Sequence, residues 1–190
     1  MNNMNIANRL TLARVFLIPV FILLLEVNQG ITTDPVSPLQ MAAGIIFILA
    51  SVTDYLDGYL ARKLGIITNF GVFFDPMADK LLVIAALVYL TAAGFIPAWS
   101  LFIIVGRELM ITGLRVLLAQ SQGQVLAAAL PGKIKTFSQM FAIIFFIFAD
   151  FGISGSSLWV ANCLFYFSLV FTIYSGLEYF YKARFLFKDL

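Results

Sequence analysis

Residues 54–79 read DYLDGYLARKLGIITNFGVFFDPMAD, and this stretch decides how the rest of the chain is understood. Four aspartates, Asp54, Asp57, Asp75 and Asp79, stand where two otherwise apolar segments meet. The chain is 62% hydrophobic, so this is an unfavourable setting for carboxylates. An ionisable group at membrane depth costs about 3 kcal/mol or more unless paired or bound to an ion, and it marks function by default. Spaced i,i+3 in the first pair and i,i+4 in the second, the four point to a divalent-cation site.

Working outward, a mean hydropathy of +0.98 with 12% charged residues excludes a water-soluble globular domain. At 190 residues the chain is expected to be one domain, residues 1–190. Apolar segments run at about 10–27, 38–60, 72–94, 97–119, 134–151 and 156–178, each near the roughly 20 residues that a span requires. The expected architecture is all-α and integral to the membrane, with six transmembrane helices and a short N-terminal juxtamembrane segment. That segment is Met1–Leu10, where Asn2, Asn3, Asn5, Asn8 and Arg9 would give a surface-lying helix its polar side, a frayed terminus being the equal alternative. A signal peptide is disfavoured, because Glu26-Val27-Asn28 follows the first apolar run and no small-x-small cleavage site does. Turn formers separate the segments: Gly30 to Pro38, Gly94 and Pro97, Ser121 to Gly132, and Gly152 to Ser156.

Charge sets the orientation. The 12 Lys and Arg residues avoid the stretches 28–38, 94–97 and 152–156. They gather at the N-terminus, the second and fourth connections and the C-terminus, which the positive-inside rule places in the cytoplasm. Both termini and the aspartates are then cytoplasmic in placement. Arg107 is the exception, well inside the fourth segment.

The chain has no histidine and one cysteine. A general base must therefore be Asp, Glu, Lys or Tyr, and a metal site must be built from oxygen, which favours Mg²⁺ or Mn²⁺ over zinc. Cys163 is expected to pack within the apolar interior. Gly113 and Gly176 are expected at close helix approaches. Phe runs such as Phe141–Phe148 are expected to pack or face lipid, and Trp99, Trp159, Tyr179 and Tyr181 to lie at interfaces.

On a helix, Asp54 and Asp57 stand about 60° apart, and Gly58 and Ala61 share their stripe. Small residues there let a ligand approach closely. Arg62 lies at the water boundary, and Gly65, Thr68 and Asn69 turn the chain back. Asp75 and Asp79 share one face of the next helix, and Pro76 fits its first turn. Four bare carboxylates in one space repel one another, and two divalent cations would neutralise them. Two-metal sites commonly serve displacement at phosphorus. Helix caps or exposed charges are the alternative, and four carboxylates are too many for that role.

The spacing is Asp54-x2-Asp57-Gly58-x2-Ala61-Arg62-x8-Gly71-x3-Asp75-x3-Asp79. It resembles, without a departure, the signature of the CDP-alcohol phosphatidyltransferase family. The resemblance implies transfer of a phosphatidyl group from a CDP-linked lipid to an alcohol, with release of CMP. It implies that Asp54, Asp57, Asp75 and Asp79 bind two divalent cations and that Asp79 is the general base. It places Gly58, Ala61 and Arg62 along the nucleotide and its diphosphate, with Thr68 in the same CDP-lipid site. A homodimer in the bacterial cytoplasmic membrane is implied too, with no nucleic-acid partner.

A second polar group is expected to select the acceptor. Arg107 and Arg115 lie about 80° apart around the fourth segment and roughly 12 Å apart along it. Lys133 and Lys135 open the fifth, in PGKIKT. Four cations at one opening favour an anionic acceptor, since Arg and Lys are the usual phosphate ligands. For Arg107 the competing expectation is a salt bridge to Glu108; for the two lysines it is ordinary positive-inside bias. The stretches NRLTLAR (8–14), GRELMITGLR (106–115) and GKIKT (132–136) resemble the family branch whose acceptor is sn-glycerol 3-phosphate and whose lipid donor is CDP-diacylglycerol. Asn8, Thr11 and Arg14 match that branch's opening motif and are expected to close the nucleotide pocket. Inositol phosphate and phosphatidylglycerol are the alternative acceptors. From other classes, a cation-coupled transporter and a membrane prenyltransferase also hold buried carboxylates. The first normally places them near the midplane, and the second gives Gly58, Ala61 and Arg62 no obvious part.

Overall fold

The computed structural model describes residues 6–32, 36–64, 69–122, 130–148 and 156–184. They form six helices: α1 (Ile6–Val27), α2 (Pro38–Leu64), α3 (Asn69–Ala92), α4 (Ala98–Gln122), α5 (Leu130–Ile147) and α6 (Ser156–Ala183). Each of the six apolar segments coincides, over most of its described residues, with one of these helices. Two of the described helices, Leu130–Ile147 and Ser157–Ala183, are by themselves long and apolar enough to cross a membrane.

Several boundaries differ from expectation for local reasons. Of the juxtamembrane segment, Met1–Asn5 lie outside the described residues, and residues 6–10 run straight into α1 rather than forming a helix of their own. No Gly or Pro between Ile6 and Ile18 interrupts that helix. Pro19 lies within the same helix, further along it. α5 begins at Leu130, so Pro131 and Gly132 belong to its first turn instead of the preceding connection. A helix start accepts proline because its first amides have no carbonyl partner. α6, with 28 residues, is about 42 Å long and exceeds the roughly 30 Å hydrocarbon core.

The helix ends that face away from the aspartates are closed by backbone and side-chain bonds. At the end of α1 the Gly30 amide reaches the Leu25 carbonyl at 2.8 Å and the Gln29 amide reaches Glu26 at 3.0 Å. Gln29 takes the left-handed conformation there, φ 61°. The same 6→1 and 5→2 pair closes α3, where Gly94 holds φ 79°. Ser37 caps α2: its Oγ accepts the Gln40 amide at 3.0 Å.

Gln40 is fully buried and links three segments. Its Oε1 accepts the Thr32 amide at 2.9 Å, while Nε2 donates to the carbonyls of Thr32 at 2.9 Å and Ile147 at 2.8 Å. One turn on, a Cβ on Gly44 would stand 2.4 Å from the Phe148 ring, so this face of α2 admits the end of α5 closely. Gln40→Leu removes the side-chain bonds to the Thr32 amide and the Ile147 carbonyl. It is expected to cost about 2–4 kcal/mol, seen as earlier thermal unfolding in detergent with little change in the KM of either substrate.

α1 packs on α2 and α3, and α5 on α6. The larger apolar cluster includes Phe21, Phe47, Leu87, Phe146 and Phe165. A second cluster, Ile111, Leu114, Leu118, Tyr179 and Ala183, joins the far ends of α4 and α6. Large apolar side chains face outward on every helix with described side chains, among them Phe16, Leu49, Val88, Phe102, Phe137 and Val170, which suits a lipid surround and not water.

Some expectations for single residues are corrected. Cys163 is exposed, on an outward face of α6. Gly113 has nothing within 4 Å of a built Cβ, so it serves no close approach among the described residues, whereas a Cβ on Gly176 would stand 3.3 Å from Arg107 Cγ. Tyr179 is buried at 6% exposure, whereas Trp99, Trp159 and Tyr181 are exposed.

Candidate active site

The four aspartates occupy two consecutive helices that touch one another. Asp54 and Asp57 stand in the last three turns of α2, Asp75 and Asp79 in the first three of α3, and only residues 65–68 separate the helices. The side chains of Asp54, Asp57, Gly58's neighbours Ala61 and Arg62, Asp75 and Asp79 lie outside the described ones, as does that of Asn8. Thr68 lies outside the described residues altogether. Among the described side chains no group of three or more acidic, His or Cys residues forms a metal site. The donor set that the backbone brings to the α2–α3 junction is all oxygen and fourfold anionic, which fits a hard divalent cation.

Thr11 and Arg14 are on one face of α1, one turn apart, and both are buried, at 1% and 0% exposure. A wholly buried guanidinium needs anionic or hydrogen-bonding surroundings to offset its lost hydration. These residues belong to the interior of the α1–α2–α3 unit, whose helices carry the aspartates.

The cations expected to meet the acceptor do not form one group of four. Arg107 and Lys135 converge on a single carboxylate, that of Glu108. Arg107 Nη1 lies 2.7 Å from Glu108 Oε1, and Lys135 Nζ donates to the same oxygen. A third cation joins them: Lys80 Nζ stands 3.8 Å from Glu108 Oε2 and also donates to the Thr112 hydroxyl. The expected Arg107–Glu108 salt bridge is thus present, and the same carboxylate gathers cations from α3 and α5.

Arg107 is held on several sides. Its Nη2 donates to Ser175 Oγ of α6 at 2.9 Å. A Cβ on Gly176 would stand 3.3 Å from Arg107 Cγ, and one on Gly132 would lie 3.8 Å from Nη2. The buried Nε makes no hydrogen bond to the described residues and keeps a donor in reserve. The Ser175 hydroxyl donates to the Thr172 carbonyl at 3.1 Å, which turns its lone pairs to the guanidinium.

Arg115 and Lys133 stand elsewhere. Arg115 Nε donates to the Tyr179 hydroxyl at 3.3 Å, and its guanidinium lies 5.6 Å from the centre of that ring. Lys133 is exposed at the start of α5 and borders an apolar groove with Phe137, Phe141, Leu164 and Phe167.

The polar group around Glu108 divides the two apolar clusters. On α4, Ile104 belongs to the first cluster and Ile111 to the second. On α6, Leu169 and Tyr179 play the same parts on either side of Thr172 and Ser175. A belt of charge is thus held between two dry layers. Among the described side chains it is positive on balance, and Lys80 follows Asp79 directly along α3. Such a belt can bind an anion beside the aspartate helix ends.

Sequence reasoning missed Lys80, Ser175 and the organising part of Glu108. The signal for Glu108 was available: it is an acid next to an arginine, deep in an apolar segment. Nothing in the local pattern marked Ser175.

A family model described as CDP-alcohol phosphatidyltransferase matches residues 4–174. The CDP-diacylglycerol–glycerol-3-phosphate 3-phosphatidyltransferase of Bacillus subtilis (strain 168) is 43% identical over 192 residues, covering 94% of each chain. The protein of the same name from Rickettsia typhi is 36% identical over 188 residues, 95% of this chain and 97% of that one. The Escherichia coli (strain K12) protein, again of that name, is 36% identical over 189 residues and 95% of each. The match runs through both aspartate pairs and the Arg107–Lys135 region, and this chain belongs to the CDP-alcohol phosphatidyltransferase family.

Proposed function

We propose that this chain transfers the phosphatidyl group of CDP-diacylglycerol to sn-glycerol 3-phosphate, giving phosphatidylglycerophosphate and CMP. The relatives' names carry the substrate pair, and Glu108's cluster carries the acceptor's chemistry: Lys80, Arg107 and Lys135 are gathered in one place. A neutral or cationic acceptor such as serine or choline has no use for such a charge.

In this reading Asp79 takes the proton of the acceptor's free primary hydroxyl as that oxygen attacks the lipid-side phosphorus. The phosphorus–oxygen bond to CMP breaks, and the nucleotide leaves with the electron pair. Arg107 and Lys135 hold the acceptor's phosphate, with Lys80 beside them and Arg115 and Lys133 at the approach. Asn8, Thr11, Arg14, Gly58, Ala61, Arg62 and Thr68 line the CDP-lipid site. Asp54, Asp57, Asp75 and Asp79 are the residues that would hold two divalent cations, Mg²⁺ or Mn²⁺, which neutralise the diphosphate when bound. Chelation is therefore expected to stop CMP release completely, and added Mg²⁺ or Mn²⁺ to restore it; turnover that persists in excess chelator removes the metal from this account.

Six helices spanning the bacterial cytoplasmic membrane, both termini and the aspartates toward the cytoplasm, complete the reading. The positive-inside distribution and the outward apolar side chains support it. Residues 1–190 act as one domain, assembled as a homodimer, which native mass spectrometry from detergent tests. A transporter is disfavoured by membership of a transferase family.

The deciding experiment is an acceptor panel with purified protein in mixed micelles: glycerol 3-phosphate, inositol 1-phosphate, serine and phosphatidylglycerol, scored by CMP formation. Glycerol 3-phosphate alone is expected to support turnover. Faster turnover with any other member overturns the acceptor.

A further inference from the structure

Glu108 is an acid at the centre of what is read as a phosphate pocket, and that position calls for an explanation. Its side chain is 16% exposed, and those of Arg107 and Lys135 are 15% and 6% exposed. Cations so withdrawn from water repel one another and are costly to collect without a counter-charge. Glu108 supplies it, and does so across the fold. Its two oxygens meet Lys80 from α3, Arg107 from α4 and Lys135 from α5, and Arg107 in turn reaches Ser175 of α6.

The charge count follows from the same contacts: among the described side chains of this group, three cations less one carboxylate leave a surplus of two positive charges. A phosphate monoester at neutral pH carries a charge of about −2. The pocket as built therefore matches a monoester dianion, whereas without the carboxylate it would be over-charged by one and its cations would spread apart.

We propose that Glu108 is a positioning residue that collects Lys80, Arg107 and Lys135 and trims their combined charge to that of a phosphate monoester dianion. This rests on the reading of that cluster as the acceptor's phosphate pocket. Through Lys80, the residue after Asp79, Glu108 also fixes the α3 helix against α4 and α5, so the proton acceptor and the acceptor's phosphate keep a constant separation.

The test is steady-state CMP release by the full-length protein in mixed micelles, varying glycerol 3-phosphate and CDP-diacylglycerol separately. Glu108→Gln is expected to raise the acceptor KM about tenfold or more while the CDP-lipid KM stays within about twofold. Glu108→Asp, which keeps the charge, is expected to recover part of that loss. Glu108→Gln combined with Lys80→Gln restores the surplus of two, and its acceptor KM is expected to fall below that of Glu108→Gln alone. A residue with a merely architectural part would give the double variant the larger defect. Should Glu108→Gln not fold, Glu108→Asp and Lys80→Gln decide: each must raise the acceptor KM selectively. An unchanged acceptor KM in Glu108→Gln, equal increases in both KM values, or a double variant worse than the single overturns the proposal. Absence of CMP from the wild-type protein with glycerol 3-phosphate overturns the acceptor assignment itself, and this proposal with it.

Discussion

Asp79→Asn is expected to lower kcat by about 10³-fold or more, because asparagine keeps the size of the side chain but cannot take a proton from the attacking hydroxyl. The chain should still fold. Asparagine matches aspartate in size, and the Gln40 links and the described members of both apolar clusters belong to other residues. CDP-diacylglycerol should still bind, since Asp54, Asp57 and Asp75 remain. The measurements are single-turnover CMP release, equilibrium binding of the CDP-lipid and thermal unfolding in detergent. Loss of all three together would mean that the residue holds the structure instead of the chemistry, and wild-type turnover would remove Asp79 as the base.

Arg107→Gln is expected to raise the acceptor KM about 10- to 100-fold, the range set by one or two charge-assisted hydrogen bonds at about 1.5–3 kcal/mol in total. The CDP-lipid KM should move by no more than about twofold. Arg107 is bonded to Glu108 of α4 and Ser175 of α6, and the missing side chains of Gly132 and Gly176 leave it room, so the guanidinium is held before any ligand arrives. Arg107→Lys keeps the charge and loses the planar fork, and should fall between the two. Kinetics that change both KM values alike would place Arg107 in the framework and not at the acceptor.

Arg115, by contrast, lies against Tyr179 and outside the Glu108 group. The same four-cation pattern in the sequence thus contains two residues that share a carboxylate and two that do not. Spacing along α4 gave the rotation between Arg107 and Arg115 correctly, but rotation alone does not say which side another helix occupies.

The sequence by itself determined the six helices and the placement of the aspartates at the α2–α3 junction. Both are local matters. A long apolar run in a membrane must satisfy its own backbone, and only the i→i−4 pattern does so within one segment. Carboxylates three and four residues apart then share a face wherever the helix goes. Helix ends were less legible, because Pro131 and Gly132 read as breakers and instead start α5. Only the tertiary structure decided that Lys80, Arg107 and Lys135 meet at Glu108, and that Gln40 binds the Ile147 carbonyl 107 residues away. Those meetings depend on the depth and turn of each helix against its neighbours. The packing of all the helices together sets depth and turn, and no single segment's periodicity carries them.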